Sequence, residues 1–426
     1  MIRILPYSET APEEVFSRVV PTVDVTGTVK EIIANVVNNG DQALYEYCER
    51  FDGAKLDSLE VTPEELDAAM QTVSQELIPI LEKAAANIRK FHQAQVRTGF
   101  TIEEANGVKL GQKVIPMDRV GIYVPGGTAA YPSTVLMDSI PAKIAGCGQI
   151  VMVTPPGKDG KINPAILAAA KIAGVDRIFK VGGAQAVAAL AYGTASVPKV
   201  DKIVGPGNAF VAEAKRQVFG QVAIDMIAGP SEILVVADNT ANPAYVAADL
   251  LSQAEHDKLA SAVLVTDSMD LAKAVQQQIE EQLKTLEREE IARASIDNNG
   301  KIVVADTLDA AIEIANTIAP EHFELCVDNP FDYLDKIRHA GSVFLGKYCP
   351  EALGDYLAGP NHTLPTSGTA RFSSPLSVDD FVKKTQFVYY TPDALKEVAR
   401  DVEYFANTEG LTAHGRSAVI RLEEEK

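Results

Sequence analysis

The chain has 426 residues, 46% of them hydrophobic and 23% charged, with a formal net charge of −19. This length predicts two or more domains, and the composition is that of a globular protein. The acidic surface repels phosphate backbones and gains nothing from anionic lipids, so nucleic acid and membranes are not expected partners.

Targeting segments and disulfides are not expected either. The N-terminus, MIRILPYSETAPEEVF, lacks the apolar core of a signal peptide, and no stretch reaches the ~18 apolar residues of a membrane span. The cysteines, Cys48, Cys147, Cys326 and Cys349, are widely spaced and form no C-x-x-C pair. They are interpreted as reduced thiols, which favours a cytoplasmic location.

The predicted elements change character near residue 120. Residues 27–50 and 63–97 have helical spacing, with Pro63 at a first helical position after Thr62. From there on, β-rich runs alternate with Ala-rich helices. The runs are VGIYV (120–124), QIVMVT (149–154), RIFKVG (177–182), DKIVG (201–205), EILVVAD (232–238), SAVLVTD (261–267), KIVVAD (301–306) and HFELCV (322–327). This alternation predicts βαβ units and buried parallel strands.

The predicted fold class is therefore α/β, with two Rossmann-like parallel-sheet units and helical N-terminal and C-terminal extensions. Residues 1–120 form the N-terminal region, which contributes to the first α/β domain, and part of it joins the second unit. Residues 121–237 form the first unit and 238–379 the second. Residues 380–426, which are charged, are predicted to be a helical tail.

Three glycine loops follow predicted strands: YVPGGTAAYPS (123–133), VGGAQA (181–186) and VGPGNAF (204–210). Ligands bind at the carboxyl ends of parallel strands, and glycine lets the backbone approach them closely. None of the loops matches G-x-G-x-x-G, so the usual dinucleotide fingerprint is absent. Simple tight turns are the alternative interpretation of each loop.

Polar residues appear at other predicted element ends. The helix predicted over 242–258, with Asn242 as cap and Pro243 at its first position, places Gln253 and His256 close together. They are either a hydrogen-bonded core pair or metal ligands, although Gln is a poor zinc ligand. Glu321 and His322, at a strand start, suit general acid/base work but could equally be a surface pair.

The last candidates lie in the loop 341–368 and in the tail. The loop is long and rich in Gly and Pro, which is more often functional than not, and it contains Asp355 and His362. The tail sequence TEGLTAHG contains Glu409 and His414. Taken alone, these are ordinary surface residues. His92 and His339 receive no role.

These motifs, in this order, resemble the histidinol dehydrogenase family. The matching stretches span residues 121–415: GIYVPGGTAAYPS, GGAQAVAALAYGT, KIVGPGNAFVAEAKR, DMIAGPSEILVVAD, DLLSQAEHD, APEHFEL, GDYLAGPNHTLPT and EGLTAHG. The combination is specific, and no position that would be essential departs from it.

The resemblance implies the site residues. It implies one zinc per subunit, held by Gln253, His256, Asp355 and His414, and Glu321 and His322 as the acid/base pair. It implies NAD contacts from Tyr123, Gln185 and Asn208, one in each glycine loop. It implies substrate contacts from Ser231, Gln253, His256, His322, Asp355, Glu409 and His414.

The resemblance also implies the reaction: oxidation of histidinol through the aldehyde to histidine, with reduction of two NAD, as the final step of histidine biosynthesis. The substrate's amine and imidazole are good zinc ligands. It further implies a homodimer in which the tail reaches the neighbouring subunit's site. Two other classes stay open. One is a zinc hydrolase with Glu321 as base, against which the glycine loops argue. The other is a non-catalytic binding protein, against which the complete ligand set argues.

Overall fold

The computed structural model describes residues 1–18, 24–126 and 130–423. Its strands are β1 (Arg3–Pro6), β2 (Phe100–Glu103), β3 (Lys109–Pro116), β4 (Arg119–Tyr123), β5 (Gln149–Thr154), β6 (Arg177–Lys180), β7 (Lys202–Val204), β8 (Ala223–Ile224), β9 (Glu232–Ala237), β10 (Ser261–Thr266), β11 (Lys301–Val304), β12 (His322–Cys326), β13 (Ser342–Leu345) and β14 (Val382–Tyr389).

The helices begin near the N-terminus and recur throughout the chain. They are α1 (Pro12–Val15), α2 (Thr26–Asn39), α3 (Asp41–Tyr47), α4 (Pro63–Thr72), α5 (Leu77–Gln93), α6 (Pro132–Ala145), α7 (Pro164–Ala173), α8 (Gly183–Tyr192), α9 (Ala209–Val218), α10 (Pro243–Ala254), α11 (Met269–Leu283), α12 (Glu289–Asn299), α13 (Leu308–Ile318), α14 (Glu351–Leu353), α15 (Pro392–Thr408) and α16 (Thr412–Val419). None of the described helices is long and apolar enough to cross a membrane.

Two parallel sheets organise the larger of two compact units, residues 1–95 and 117–381. The first sheet has the strand order β6-β5-β4-β7-β8, and the second has the order β1-β11-β10-β9-β12-β13. Buried apolar residues cover both faces of each sheet. The predicted α/β class with two parallel-sheet units is confirmed, because apolar strands of this kind must be covered on both sides.

All eight β-rich runs form strands, but their assignment to sheets differs at one of them. The run EILVVAD is predicted at the end of the first unit, 121–237. Strand β9 instead pairs with β10 and β12, so it lies inside the second sheet. Strand β1 pairs with β11 and brings the N-terminus into the second sheet, as expected. A strand's sheet is decided by its long-range partners, which its own composition does not specify.

The predicted N-terminal helices are each divided in two. Residues 27–50 break at Gly40, whose φ is +55, between α2 and α3. Residues 63–97 break after Thr72, and α5 begins at Leu77. The predicted start of α4 is confirmed: Thr62 and Glu65 form a capping box with Pro63 in the first turn.

The smaller unit comprises residues 96–116 and 382–426. Its antiparallel sheet has the order β14-β3-β2, and α15 packs against α16. The prediction of helix throughout 380–426 is wrong for Val382–Tyr389, and Phe100–Glu103 and Lys109–Pro116 of the N-terminal region likewise form strands. The run KKTQF pairs with β3 along its length. The segment has only two charged residues, and its β-branched and aromatic residues favour the strand that the pairing shows.

Candidate active site

The described parts of the three glycine loops lie at the carboxyl ends of β4, β6 and β7 in the first sheet, as predicted. Tyr123 ends β4, and its buried hydroxyl accepts a hydrogen bond from the Gly183 N–H at 3.0 Å. Gln185 is buried in α8, which follows β6. Asn208 follows β7 and caps α9, where its side chain accepts from the N–H groups of Phe210 and Val211. Residues 127–129 of the first loop lie outside the described residues.

His322 occupies the first position of β12, between β9 and β13. It is 4% exposed. Its Nδ1 lies 2.9 Å from the Glu232 carbonyl oxygen and 2.8 Å from Gln253 Nε2. The Glu232 carbonyl can only accept and the Gln253 amide nitrogen can only donate, so Nδ1 cannot bond to both in one protonation state. We assign the proton to Nδ1, which makes the hydrogen bond to the Glu232 carbonyl and leaves the Gln253 amide nitrogen as a close contact without a hydrogen bond. In the neutral ring Nε2 then carries the lone pair, and this nitrogen has no hydrogen-bond partner among the described residues.

Carboxyl groups surround the free side of His322. Nε2 lies 3.8 Å from Asp355 Oδ1 and 3.9 Å from Glu351 Oε1. Burial opposes protonation of the imidazole, but Glu321, Asp355 and Glu351 outweigh it and raise the pKa of His322 to about 10. Burial works against the charge of Asp355 too, yet its contacts with His322 and the nearby His362 lower its pKa to about 2. The cluster thus concentrates negative charge beside an imidazole.

The Glu321 side chain is held by a backbone hydrogen bond, and an unusual turn precedes the residue. Its Oε2 accepts from the Glu232 N–H at 2.8 Å and lies 3.6 Å from His322 Nδ1. Burial raises the pKa of Glu321 to about 8. The preceding turn contains Ala319 at φ +50, a left-handed conformation that is uncommon outside glycine. A buried carboxyl group whose pKa lies near neutrality suits a general base.

Helix α10 supplies Gln253, and the turn after it supplies His256. The cap at Asn242 with Pro243 next to it is confirmed. The helix ends at Ala254, earlier than predicted, so His256 lies in the following turn and its backbone N–H donates to the Gln253 carbonyl. Burial lowers the pKa of His256, while Asp355 and His322 are close enough to act on it. Gln253 Oε1 is buried without a partner among the described residues.

Two residues join this cluster that the sequence reasoning did not assign to it. Glu351 is 2% exposed and begins α14, four positions before Asp355, so helical spacing could have pointed to it. His362 has Nδ1 3.8 Å from Asp355 Oδ1 and Nε2 3.2 Å from the Thr134 hydroxyl. No spacing argument links residue 362 to residue 134.

The remaining candidates are Ser231, Glu409 and His414. Ser231 directly precedes β9, and its carbonyl accepts from the Ser261 N–H. Glu409 follows the last residue of α15, and His414 lies within α16. Both belong to the smaller unit, and both are exposed. The larger unit therefore assembles Gln253, His256, Glu321, His322 and Asp355, while Glu409 and His414 belong to another body.

Comparison with known proteins gives this arrangement a family. The histidinol dehydrogenase family model matches residues 18–422. The chain belongs to the histidinol dehydrogenase family. A histidinol dehydrogenase of Clostridium acetobutylicum is 57% identical over 93% of this chain and 92% of its own length. That of Geobacter sulfurreducens is 54% identical over 99% of this chain and 100% of its own length.

A solved structure supports the same membership. The crystal structure of histidinol dehydrogenase from Elizabethkingia anophelis superimposes with a TM-score of 0.94 at 42% identity, covering 99% of this chain and 98% of that one. This agreement extends over both units of the chain, so the membership of the histidinol dehydrogenase family, a family of oxidoreductases, applies to the full length of the fold.

Proposed function

We propose that this protein oxidises histidinol through its aldehyde to histidine, with zinc bound and two NAD reduced, as the final step of cytoplasmic histidine biosynthesis. One observation carries the proposal: the buried His322, at the amino end of β12, faces Glu321, Asp355 and Glu351 in a chain of the histidinol dehydrogenase family. The site then combines a proton acceptor, a water activator and an anionic pocket for a cationic ligand.

The donor set fits a divalent cation. Among the proposed ligands, Gln253 Oε1 is a buried polar atom without a partner among the described residues. Buried polar atoms are costly when unpaired, and oxygen and imidazole donors suit zinc. We assign the metal to Gln253, His256, Asp355 and His414. When bound, zinc supplies positive charge and a template for the substrate's amine and imidazole.

His322 is the proton acceptor for the substrate alcohol. Its Nδ1–H donates to the Glu232 carbonyl, which fixes the ring and directs Nε2 into the carboxylate cluster. In that cluster the uncompensated negative charge favours the protonated ring. Once a bound cation offsets this charge, His322 is neutral, and its Nε2 can take the hydroxyl proton. NAD, when bound, accepts the hydride.

Glu321 serves the second oxidation. An aldehyde must add water before it can lose a second hydride, and this water must give up a proton. Glu321 is held by the Glu232 N–H at 2.8 Å, and burial raises the pKa of its carboxyl group to about 8. Its carboxylate accepts the water proton. The division of work predicts that a Glu321 variant is impaired mainly in the aldehyde step.

The other contacts complete the proposal. Tyr123, Gln185 and Asn208 contact NAD. Their loops follow the carboxyl ends of parallel strands in the first sheet, where ligands bind in open α/β sheets. Ser231 contacts the substrate. Glu409 and His414 do so from the neighbouring subunit of a homodimer. The smaller unit shows large exposed apolar side chains, including Tyr404 at 78% and Phe405 at 68%, which suit a covered surface.

The test is to follow the two half-reactions separately. Purified enzyme is assayed with histidinol and NAD, and separately with histidinaldehyde and NAD. Each assay is done before a chelator is added, after the metal has been removed, and again after zinc has been added back. Chelation should abolish both activities and zinc should restore them. Glu321→Gln should keep its zinc and lose about 10²–10⁴-fold in the aldehyde step. Equal losses in both steps would contradict the assigned roles.

A further inference from the structure

Two buried carboxyl groups, those of Glu324 and Asp249, take no part in the proposed chemistry. Glu324 on β12 is 1% exposed, and its carboxyl is in side-chain hydrogen-bond contact with Asp249 of α10. One oxygen from each, together with Cys326 Sγ, lies within 4.8 Å of the others. Two carboxylates cannot hydrogen bond to each other, since neither has a donor, so this contact requires one shared proton.

Glu324 makes a second contact, toward the carboxylate cluster. Its Oε1 accepts a hydrogen bond from the Glu351 backbone N–H at 2.6 Å, at the first residue of α14. Burial and the neighbouring Asp249 raise the pKa of Glu324 well above its ordinary value, in agreement with a neutral acid. A neutral carboxylic acid can donate to Asp249 from one oxygen and accept from the Glu351 N–H at the other, so a protonated Glu324 can make both contacts.

The two residues joined by Glu324 occupy equivalent places. Asp249 lies four positions before Gln253 on α10, and Glu351 lies four positions before Asp355, so each joined residue is one helical turn from a proposed metal ligand. The Ser252 hydroxyl forms a parallel link to Glu351 Oε2 at 3.0 Å. Strand β12 itself carries His322 two positions earlier, on the same face as Glu324.

We propose that Glu324, as a neutral carboxylic acid, is a positioning residue that fastens α10 to the start of α14 and so sets the distance between Gln253 and Asp355. It touches neither substrate nor cofactor. Its effect is on the affinity for the metal, because outer contacts that orient ligands typically change metal affinity by about 10- to 100-fold when they are removed. This inference rests on the proposed function for the ligand set.

A comparison of Glu324→Gln with Glu324→Leu distinguishes the effect of the two hydrogen bonds from the effect of side-chain volume. Glutamine can donate its amide to Asp249 and accept from the Glu351 N–H, whereas leucine can do neither. Zinc affinity is measured by chelator competition on the purified full-length enzyme. We expect Glu324→Gln to stay within about threefold of wild type and Glu324→Leu to lose about 10- to 100-fold. Cys147→Ala, which removes a buried thiol that contacts the Phe381 carbonyl at 3.6 Å, is the control and should leave zinc affinity unchanged.

The same contact can be broken from its other side if Glu324→Leu does not fold. Asp249→Asn keeps a polar partner and should resemble wild type, while Asp249→Leu should lose zinc affinity. Wild-type zinc affinity in both leucine variants, or an equal loss in Glu324→Gln and Glu324→Leu, would overturn the inference. Failure of the proposed function looks different: the wild-type enzyme would then bind zinc without oxidising histidinol.

Discussion

Replacing Lys215 by methionine removes one partner of a buried ion pair beneath the Asn208 loop. The side chains of Lys215 and Asp225 are only 2% and 1% exposed. Lys215 Nζ also donates to the Gly205 carbonyl at 3.0 Å, and the Gly205 N–H donates to Asp225 at 2.8 Å. The ion pair therefore holds both backbone groups of Gly205, whose φ of +112 suits glycine alone.

The expected loss follows from the burial of the pair. Removing one member of a buried ion pair costs about 3–5 kcal/mol, because the remaining charge is left uncompensated. Lys215→Met should lose about that much free energy of unfolding, and its NAD affinity should fall as the Asn208 loop loosens. In Lys215→Met/Asp225→Asn the amide oxygen can still accept from the Gly205 N–H, and no buried charge remains. The double variant should therefore be more stable than the single one.

Urea denaturation followed by circular dichroism measures these differences, since the chain has no tryptophan. Lys258→Met is the control: it breaks an exposed pair, with side chains 58% and 91% exposed, and should change stability by only about 0–1 kcal/mol. The reasoning is refuted if Lys215→Met unfolds like wild type, or if the double variant is no more stable than the single one.

Three further predictions concern the site itself. His256→Asn should lower zinc content and activity together while His339→Asn changes neither, as metal analysis would show; full zinc occupancy in the first variant would remove His256 from the ligand set. Burial raises the pKa of Glu321 from the ordinary 4.5 to about 8. Between these pH values the folded chain therefore binds more protons at this residue than the unfolded chain does. This residue's contribution to the free energy of unfolding falls as the pH rises from 4.5 to 8. The stability of Glu321→Gln should lack this dependence on pH, and near pH 8 the variant should be more stable than wild type. The prediction fails if the free energies of unfolding of the two proteins, measured in urea, change in parallel from pH 4.5 to 8. Finally, inactive His414→Asn and Glu321→Gln homodimers, dissociated and reassociated together, should recover activity because one site of each mixed dimer is wild type; a mixture that stays inactive despite subunit exchange confirmed by mass would show that each chain builds its own site.

Local patterns predicted most of the central fold. The run QIVMVT is apolar over a strand's length between turn signals, and it forms β5 with the predicted bounds. Thr62, Pro63 and Glu65 carry a helix start in their own chemistry. Val382–Tyr389 does carry a strand signal, since five of its eight residues are β-branched or aromatic, but the helix prediction followed the charged residues around it; pairing with β3 makes it a strand. Sheet membership of β9 likewise depends on distant partners.

The site divides in the same way. Spacing placed Gln253 beside His256 and put the glycine loops at strand ends, but it did not join either group to Asp355. The contact of His322 with Asp355 crosses from β12 to the turn after α14, and that of His362 with Thr134 crosses to α6. Glu324 looked like an ordinary strand residue, because its partners Asp249 and Glu351 come from two other elements. The proposed set of ligands comes from the family motifs rather than from periodicity.

The most direct test of the proposed function is the amount of NADH formed per histidinol consumed. The purified enzyme, with zinc and excess NAD, is given a limiting amount of histidinol, and NADH absorbance and free aldehyde are followed to completion. A site with both a proton acceptor at His322 and a water activator at Glu321 predicts two NADH per histidinol, with histidine as product and little free aldehyde. One NADH per histidinol with stoichiometric aldehyde release, or no NADH at all, would contradict it.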